Sequence, residues 1–170
     1  MTDKARQVVA RFLRWLAEGI HERDAIGEIR GRVSWELRDV TTGKVECGEV
    51  TNLIVDQGRT YLQQNMQNDS PVNPGYIHLS TSATAVAAGE VTVPATLLGY
   101  KAVTKSRPSV TTCRMACTFL TTEGNGTVAS IGIASAIDGT GEFCRTVLGA
   151  TITKDATKEL TVNYDWTITW

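Results

Sequence analysis

The residues best suited to nucleophilic or metal chemistry are two histidines and four cysteines. His21 and His78 have neither an HExxH nor a paired-histidine spacing, and no Gly-x-Ser-x-Gly sequence occurs, so neither a zinc hydrolase nor a serine hydrolase is predicted. Cys144 precedes Arg145, a cation that could stabilise a thiolate, but Cys144 lies inside a predicted strand. A structural role is therefore favoured for this cysteine.

The four cysteines, Cys47, Cys113, Cys117 and Cys144, form no CxxC pair. This spacing argues against a structural zinc site and against a thioredoxin-type redox motif. Cys113 and Cys117 would share one face of a strand but lie about 13 Å apart, too far for a disulfide between them. We predict that all four are reduced and buried within the subunit, with an intersubunit disulfide as the alternative.

Acidic residues offer two further kinds of site. Glu90 and Glu123 could act as the paired carboxylates of a glycosidase, but nothing in the sequence brings them together. Asp138, Thr140 and Glu142 could ligate calcium, yet their spacing lacks the further acidic residues of a calcium loop. The sequence therefore predicts a protein with no catalytic residue, no cofactor and no metal.

Two glycine-rich stretches, residues 123–126 and 138–141, could be taken for phosphate-binding loops. Each precedes a predicted strand, whereas a phosphate-binding loop opens a helix, so both are predicted to be turns. The first, Glu-Gly-Asn-Gly, has the composition of a tight hairpin turn.

These turns separate stretches in which apolar and polar residues alternate. In the clearest, Leu160 to Trp170, every even-numbered residue is apolar. We predict a strand whose even side chains, Trp166 included, are buried, while odd ones such as Asp165 face solvent. About eight such strands predict a mainly β fold, an antiparallel β-sandwich or jelly-roll-like domain.

Two stretches interrupt the strand pattern. Asn52 is predicted to cap an inserted helix from about Leu53 to Met66, with Gly58 in its middle. Residues 81–96 are rich in Ala and Thr without periodicity, which predicts an exposed loop.

The N-terminal region has the period of an amphipathic helix over residues 3–22. We predict that residues 1–28 form a docking helix and connector, and that residues 29–170 form the β-sandwich domain. The same apolar stripe also fits packing on the chain's own domain or lying on a membrane surface. The predicted partner-docking residues are Val9, Phe12, Leu13, Trp15, Leu16 and Ile20.

The composition of the chain bears on whether it is globular and on whether it binds nucleic acid or crosses a membrane. Hydrophobic residues make up 42% and charged residues 21%, which is typical of one globular domain with an appendage. The 17 Lys and Arg against 18 Asp and Glu give no basic excess, so no nucleic-acid partner is predicted. No apolar run reaches the ~20 residues of a membrane span, and the charged N-terminus is unlike a secretory signal. Synthesis in the cytoplasm is expected.

Four segments resemble small virion structural proteins of tailed bacteriophages. They are Trp35 to Asp39 with the Thr-Gly turn after it, Thr51 to Leu62, Tyr76 to Ser80 with the Ala/Thr loop, and Ile152 to Lys154 before the C-terminal strand. The resemblance covers roughly residues 30 to 170. It implies a non-enzymatic part on the outside of the particle: a head decoration or cement protein, a collar piece, or a fibre or its attachment domain.

From this resemblance we expect a virion structural protein, either a capsid decoration or a neck-attached protein. Expected partners are further copies of the chain, in a homo-oligomer of which a trimer is one form, and the major capsid or neck protein. One alternative is a glycan- or receptor-binding tail-fibre module using the loop 81–96 and exposed aromatic residues. An enzyme is the other, disfavoured because the sequence lacks a catalytic constellation.

Overall fold

A computed structural model describes residues 29–67, 72–93 and 96–168. The predicted N-terminal helix and its six docking positions lie outside these residues. Within them the chain forms nine strands and one helix: β1 Ile29–Asp39, β2 Val45–Ile54, α1 Asp56–Gln67, β3 Tyr76–Ser80, β4 Leu97–Ala102, β5 Thr104–Ser106, β6 Thr112–Phe119, β7 Gly126–Ala134, β8 Glu142–Lys154 and β9 Lys158–Ile168. The prediction of a mainly β domain with an inserted helix is confirmed.

The strands form two antiparallel sheets that share β2. Most of β2 pairs with β1, from Arg38 opposite Val45 to Gly31 opposite Asn52. Its last two residues pair with β8. The first sheet therefore has the order β4-β3-β7-β8-β2, and the second sheet continues from it as β2-β1-β9-β6-β5.

The two ends of this strand order lie close in the chain. β4 and β5 are the outermost strands, yet only Val103 separates them. The chain must therefore pass from the first sheet to the second at Val103, which brings the outer edges together. Such an arrangement is consistent with two layers around one core.

The turn at residues 123–126 differs from its prediction. It links β6 to β7, but β6 pairs with β5 and β9 while β7 pairs with β3 and β8. The turn therefore crosses between the sheets and closes no hairpin. The Glu-Gly-Asn-Gly sequence specifies a tight reversal of the chain, whereas the strand pairing is set by the core.

The buried face of β9 lies in this core. Leu160, Val162 and Tyr164 are fully buried and Trp166 is nearly so, as their alternation predicted. The Tyr164 hydroxyl donates a hydrogen bond of 2.7 Å to the carbonyl of Ile131 on β7. This bond ties the second sheet to the first across the core.

Asp165 is buried, although alternation predicted that it would face solvent. The Arg114 guanidinium donates two hydrogen bonds of 2.7 Å to its carboxylate, and Arg32 approaches it to 3.6 Å. The hydrogen bond from Arg114 lowers the pKa of Asp165, so the buried carboxylate stays ionised. Alternation places a side chain on a face, but it does not show whether neighbouring side chains cover it.

The inserted helix begins at Asp56, later than predicted. Asn52 lies within β2 and does not cap the helix; its side chain occupies the space beside Gly31 that a β-carbon there would fill. Gly58 lies against the carbonyl of Phe143, where a β-carbon would overlap the oxygen. The glycine therefore allows the helix to approach β8 closely.

Candidate functional site

The outer face of the first sheet carries a row of polar and aromatic residues. Arg145 on β8 is opposite Gly132 on β7, Gly132 is opposite His78 on β3, and His78 is opposite Tyr100 on β4. Residues in register across a sheet share a face, so this row crosses four strands on one side.

A segment that we call the strap, residues 81–93, lies over this face. Asp56 donates a backbone hydrogen bond of 2.8 Å to the carbonyl of Ala88, and Gly141 and Glu142 both donate to the carbonyl of Val91 at 3.1 Å. Most strap side chains are exposed, as predicted for a loop, but Val93 is fully buried. The strap is therefore fastened to α1 and to the start of β8.

Arg145 is the centre of the site. It is fully buried, and its guanidinium donates to both carboxylate oxygens of Glu90 at 2.7 to 3.1 Å and to the carbonyl of Thr84 at 2.9 Å. Glu90 and Thr84 both belong to the strap. The guanidinium of Arg145 thus anchors the strap to β8 at two points, with bidentate geometry toward Glu90.

Glu142 lies beside Arg145 and is also fully buried. Within the described part of the chain, neither of its carboxylate oxygens has a hydrogen-bond partner, and Arg145 Nε lies 3.7 Å from Oε1. Burial raises the pKa of Glu142 to about 7; the charge of Glu90 adds to this rise, and that of Arg145 opposes it. The site therefore contains a carboxyl group that titrates near neutral pH.

His78 is fully buried on the same face. Its Nε2 lies 3.0 Å from the carbonyl of Ala136, which requires a proton on Nε2, and within the described residues Nδ1 has no partner. Burial lowers the pKa of His78, so the ring is neutral at neutral pH. The ring of Tyr100, which is half exposed, lies 6.0 Å from the His78 ring and is tilted by 37° to it.

The carboxylates weighed from the sequence are arranged differently. Glu90 contacts Arg145, whereas Glu123 contacts Lys101, so they do not form a pair. Asp138 accepts hydrogen bonds from the backbone and hydroxyl of Thr140 within its own turn. Across the described residues, no group of three or more His, Cys, Asp or Glu side chains could hold a metal.

Two of the four cysteines are buried and two are exposed. Cys117 and Cys144 are buried, and burial raises the pKa of Cys117 to about 12 and that of Cys144 well above its ordinary value. Cys47 and Cys113 are exposed, so the prediction that all four are buried is wrong. Cys47 is on the outer face of the second sheet opposite Glu36, and Cys113 lies at the start of β6. All four are free thiols.

Sequence reasoning missed the cluster of Glu90, Glu142 and Arg145. Arg145 contacts Glu90 across 55 residues of chain, a separation that no spacing rule covers. One signal was present: Glu142 and Arg145 interrupt the otherwise apolar start of a strand. A charged residue at such a position indicates a buried partner.

A surface groove of about 350 Å³ lies on the second sheet, away from this cluster. It is lined by Ser34, Trp35, Glu36, Cys47, Gly48, Glu49 and Asn163. The Trp35 ring lies over Gly48, the residue opposite it on β2, in the space where a β-carbon would stand.

No helix in the described ranges has the length and apolar character to cross a bilayer. Comparison of the chain with protein-family models, curated proteins and solved structures found no significant match. Its function is therefore inferred from the arrangement of its own residues.

Proposed function

We propose that the chain is a non-enzymatic structural protein of a tailed-phage virion, on the outside of the particle as a capsid decoration or cement protein or a neck-attached protein. The four segments that resemble such proteins belong to one β domain. Trp35 to Asp39 lies in β1, Thr51 to Leu62 spans the end of β2 and most of α1, Tyr76 to Ser80 is β3, and Ile152 to Lys154 ends β8.

The observation that carries this proposal is the bracing of the second sheet's outer face. Arg32 lies 3.3 Å from Glu49 and 3.6 Å from Asp165, and Arg114 makes two hydrogen bonds to Asp165. Two threonine pairs between β6 and β9 extend this network: Thr112 with Thr167 and Thr118 with Thr161. Side chains linked across four strands brace this face, and an ordered polar surface of this kind suits the polar rim of an interface with a neighbouring subunit.

The proposed architecture is an antiparallel β-sandwich or jelly-roll-like domain that faces outward. Residues 1–28 would point toward the particle, with Val9, Phe12, Leu13, Trp15, Leu16 and Ile20 as the docking positions. The partners would be further copies of the chain, in a trimer or another homo-oligomer, and the major capsid or neck protein.

The direct test is mass spectrometry and cryo-electron microscopy of phage particles purified from cells that carry this gene. The proposal expects the protein in intact particles, with density for a β domain on their outside. Its absence from intact particles made by those cells would contradict the proposal.

A matched variant that lacks residues 1–28 tests the docking role. We expect it to stay soluble, to keep the far-ultraviolet circular dichroism of β structure, and to be missing from the particles. Aggregation or unfolding of this variant would instead show that the N-terminal region belongs to the core of the domain.

A glycan- or receptor-binding tail-fibre module is the second candidate, and the groove on the second sheet favours it. Hydrogen-bonding side chains such as Glu49 and Asn163 line this groove, whereas the Trp35 ring lies on the other face of β1, beside Gly48. Convergent polar groups in a concave site can fix the orientation of a ligand that carries hydroxyl groups. On a glycan array, binding by the parent and by Arg38→Ala but not by Glu49→Ala would support this function, and no binding by the parent would contradict it.

A further inference from the structure

Lys154, the last residue of β8, has an unusual position for a lysine. It is 1% exposed, and its ammonium group donates hydrogen bonds to the carbonyl of Leu120 at 2.7 Å and to Oδ1 of Asn125 at 2.9 Å. Both acceptors belong to the turn between β6 and β7. The Lys154 nitrogen therefore lies against the side-chain amide of Asn125.

The turn holds this amide in a fixed orientation. Asn125 Nδ2 donates to the carbonyl of Thr121 at 2.9 Å, and Glu123 accepts a hydrogen bond of 2.8 Å from the backbone of Leu120. The flanking residues Gly124 and Gly126 have φ values of +59° and +140°, which glycine adopts without strain. Contacts on both sides of the amide group thus limit its rotation.

Burial also changes the chemistry of the amine. Burial away from water lowers the pKa of Lys154. The negative charges of Glu123, Asp155 and Glu159 raise this pKa, but by less than burial lowers it. A larger fraction of the amine is then neutral than for a solvent-exposed lysine, and a neutral amine is a nucleophile. The hydrogen bond of 2.9 Å holds Nζ beside Oδ1, the oxygen bonded to the carbon that would be attacked, so the two groups have already lost much of the freedom that a bimolecular reaction would cost.

We propose that Lys154 and Asn125 form an intramolecular isopeptide bond. The Lys154 nitrogen adds to Cγ of Asn125, the Cγ–Nδ2 bond breaks, and a new amide joins Nζ to Cγ. The ammonium group loses two of its three protons, at the exposed side of Asn125, and keeps the third as the N–H of the new amide, while the departing nitrogen gains one proton and leaves as ammonia. One amide replaces another, so the reaction needs no oxidant and no cofactor.

The bond would fasten the β6–β7 turn to the end of β8. It would close a covalent loop through residues 125–154, which includes all of β7 and β8. A covalent loop restricts the unfolded chain more than the folded one, so it resists unfolding. This inference does not depend on the proposed function, because it concerns chemistry within one chain.

The first test is the intact mass of the purified full-length protein after prolonged incubation at mildly alkaline pH. We expect a mass lower by one ammonia than the sequence requires. In Lys154→Arg, which keeps the cation but lacks a nucleophilic amine, we expect the full mass. A full mass for the parent protein would overturn the proposal.

The second test separates this bond from another source of ammonia loss, succinimide formation at Asn125 and Gly126. A succinimide would form in Lys154→Arg as well, so an equal extent of ammonia loss in the parent and in that variant would overturn the proposal. Tryptic digestion provides an independent readout, since trypsin does not cleave after an acylated lysine. We expect one branched peptide that contains both Asn125 and Lys154; ordinary cleavage after Lys154 would overturn the proposal.

Discussion

Replacing Glu142 with glutamine should make the domain more stable at alkaline pH. Glutamine has nearly the shape of a protonated glutamate but cannot ionise. Glu142 is fully buried, and its pKa is raised by burial from the ordinary 4.5 to about 7. Its contribution to stability is therefore fully present below about pH 4.5 and is lost as the pH rises through about 7.

The size of the effect follows from the two pKa values. A pKa of about 7 in the folded state against 4.5 in the unfolded state corresponds to about 3 kcal/mol. We expect the parent and Glu142→Gln to be nearly equal near pH 4, and the variant to be more stable by about 3 kcal/mol near pH 8. The informative quantity is the difference in stability between the two proteins at each pH. The pKa of Asp165 is lowered in the folded state, so this carboxylate makes both proteins more stable as the pH rises, which is opposite to the effect of Glu142.

The measurement is urea unfolding of both proteins across this pH range. Glu49→Gln is a suitable control, because its carboxylate is exposed on the second sheet and should give a small difference with little dependence on pH. A difference between the parent and Glu142→Gln that stays constant with pH would refute the assignment of a buried acid that titrates near neutrality.

Three further predictions concern packing and accessibility. Arg145→Ala should destabilise the domain by about 3 to 5 kcal/mol, because it leaves Glu90 without its buried partner, and limited proteolysis should then cut the strap. Normal protease resistance would contradict the anchoring role. Gly58→Ala should cost about 1 to 3 kcal/mol in thermal or urea unfolding because the methyl group meets the Phe143 carbonyl, whereas Gly89→Ala, in open space, should be nearly neutral. Equal effects of the two would contradict the close approach. A maleimide should label two thiols in the native protein and four after unfolding, the native pair being Cys47 and Cys113.

The local features of the fold followed from the sequence. Alternation identified β9 and its buried face, and breaker residues located the turns, because both depend on neighbours in the chain. The boundary of α1 was missed because Asn52 also suits a strand position beside a glycine. Burial of Asp165 could not be predicted, since it depends on Arg114 and Arg32 from two other strands.

The candidate site could not be predicted from the sequence either, because it too depends on contacts between distant segments. Glu90, Glu142 and Arg145 come from two segments that the sheet brings together, and the polar sequence of the strap gave no sign of where it lies. The exposure of Cys47 and Cys113 likewise depends on how far the core extends. Each of these features is set by contacts between segments distant in the chain.

The sharing of β2 between the two sheets also constrains how the chain folds. β2 can pair with β1 as soon as both are synthesised. Its last two residues, however, pair with β8, some ninety positions later in the chain. The Thr146 hydroxyl on β8 also donates a hydrogen bond to the carbonyl of Thr51, across 95 residues. Contacts of such long range are slow to form because a large loop must close first. During synthesis the edges of the β1–β2 hairpin therefore stay unpaired until the second half of the domain has been made. Over that time these edges can form hydrogen bonds with other chains.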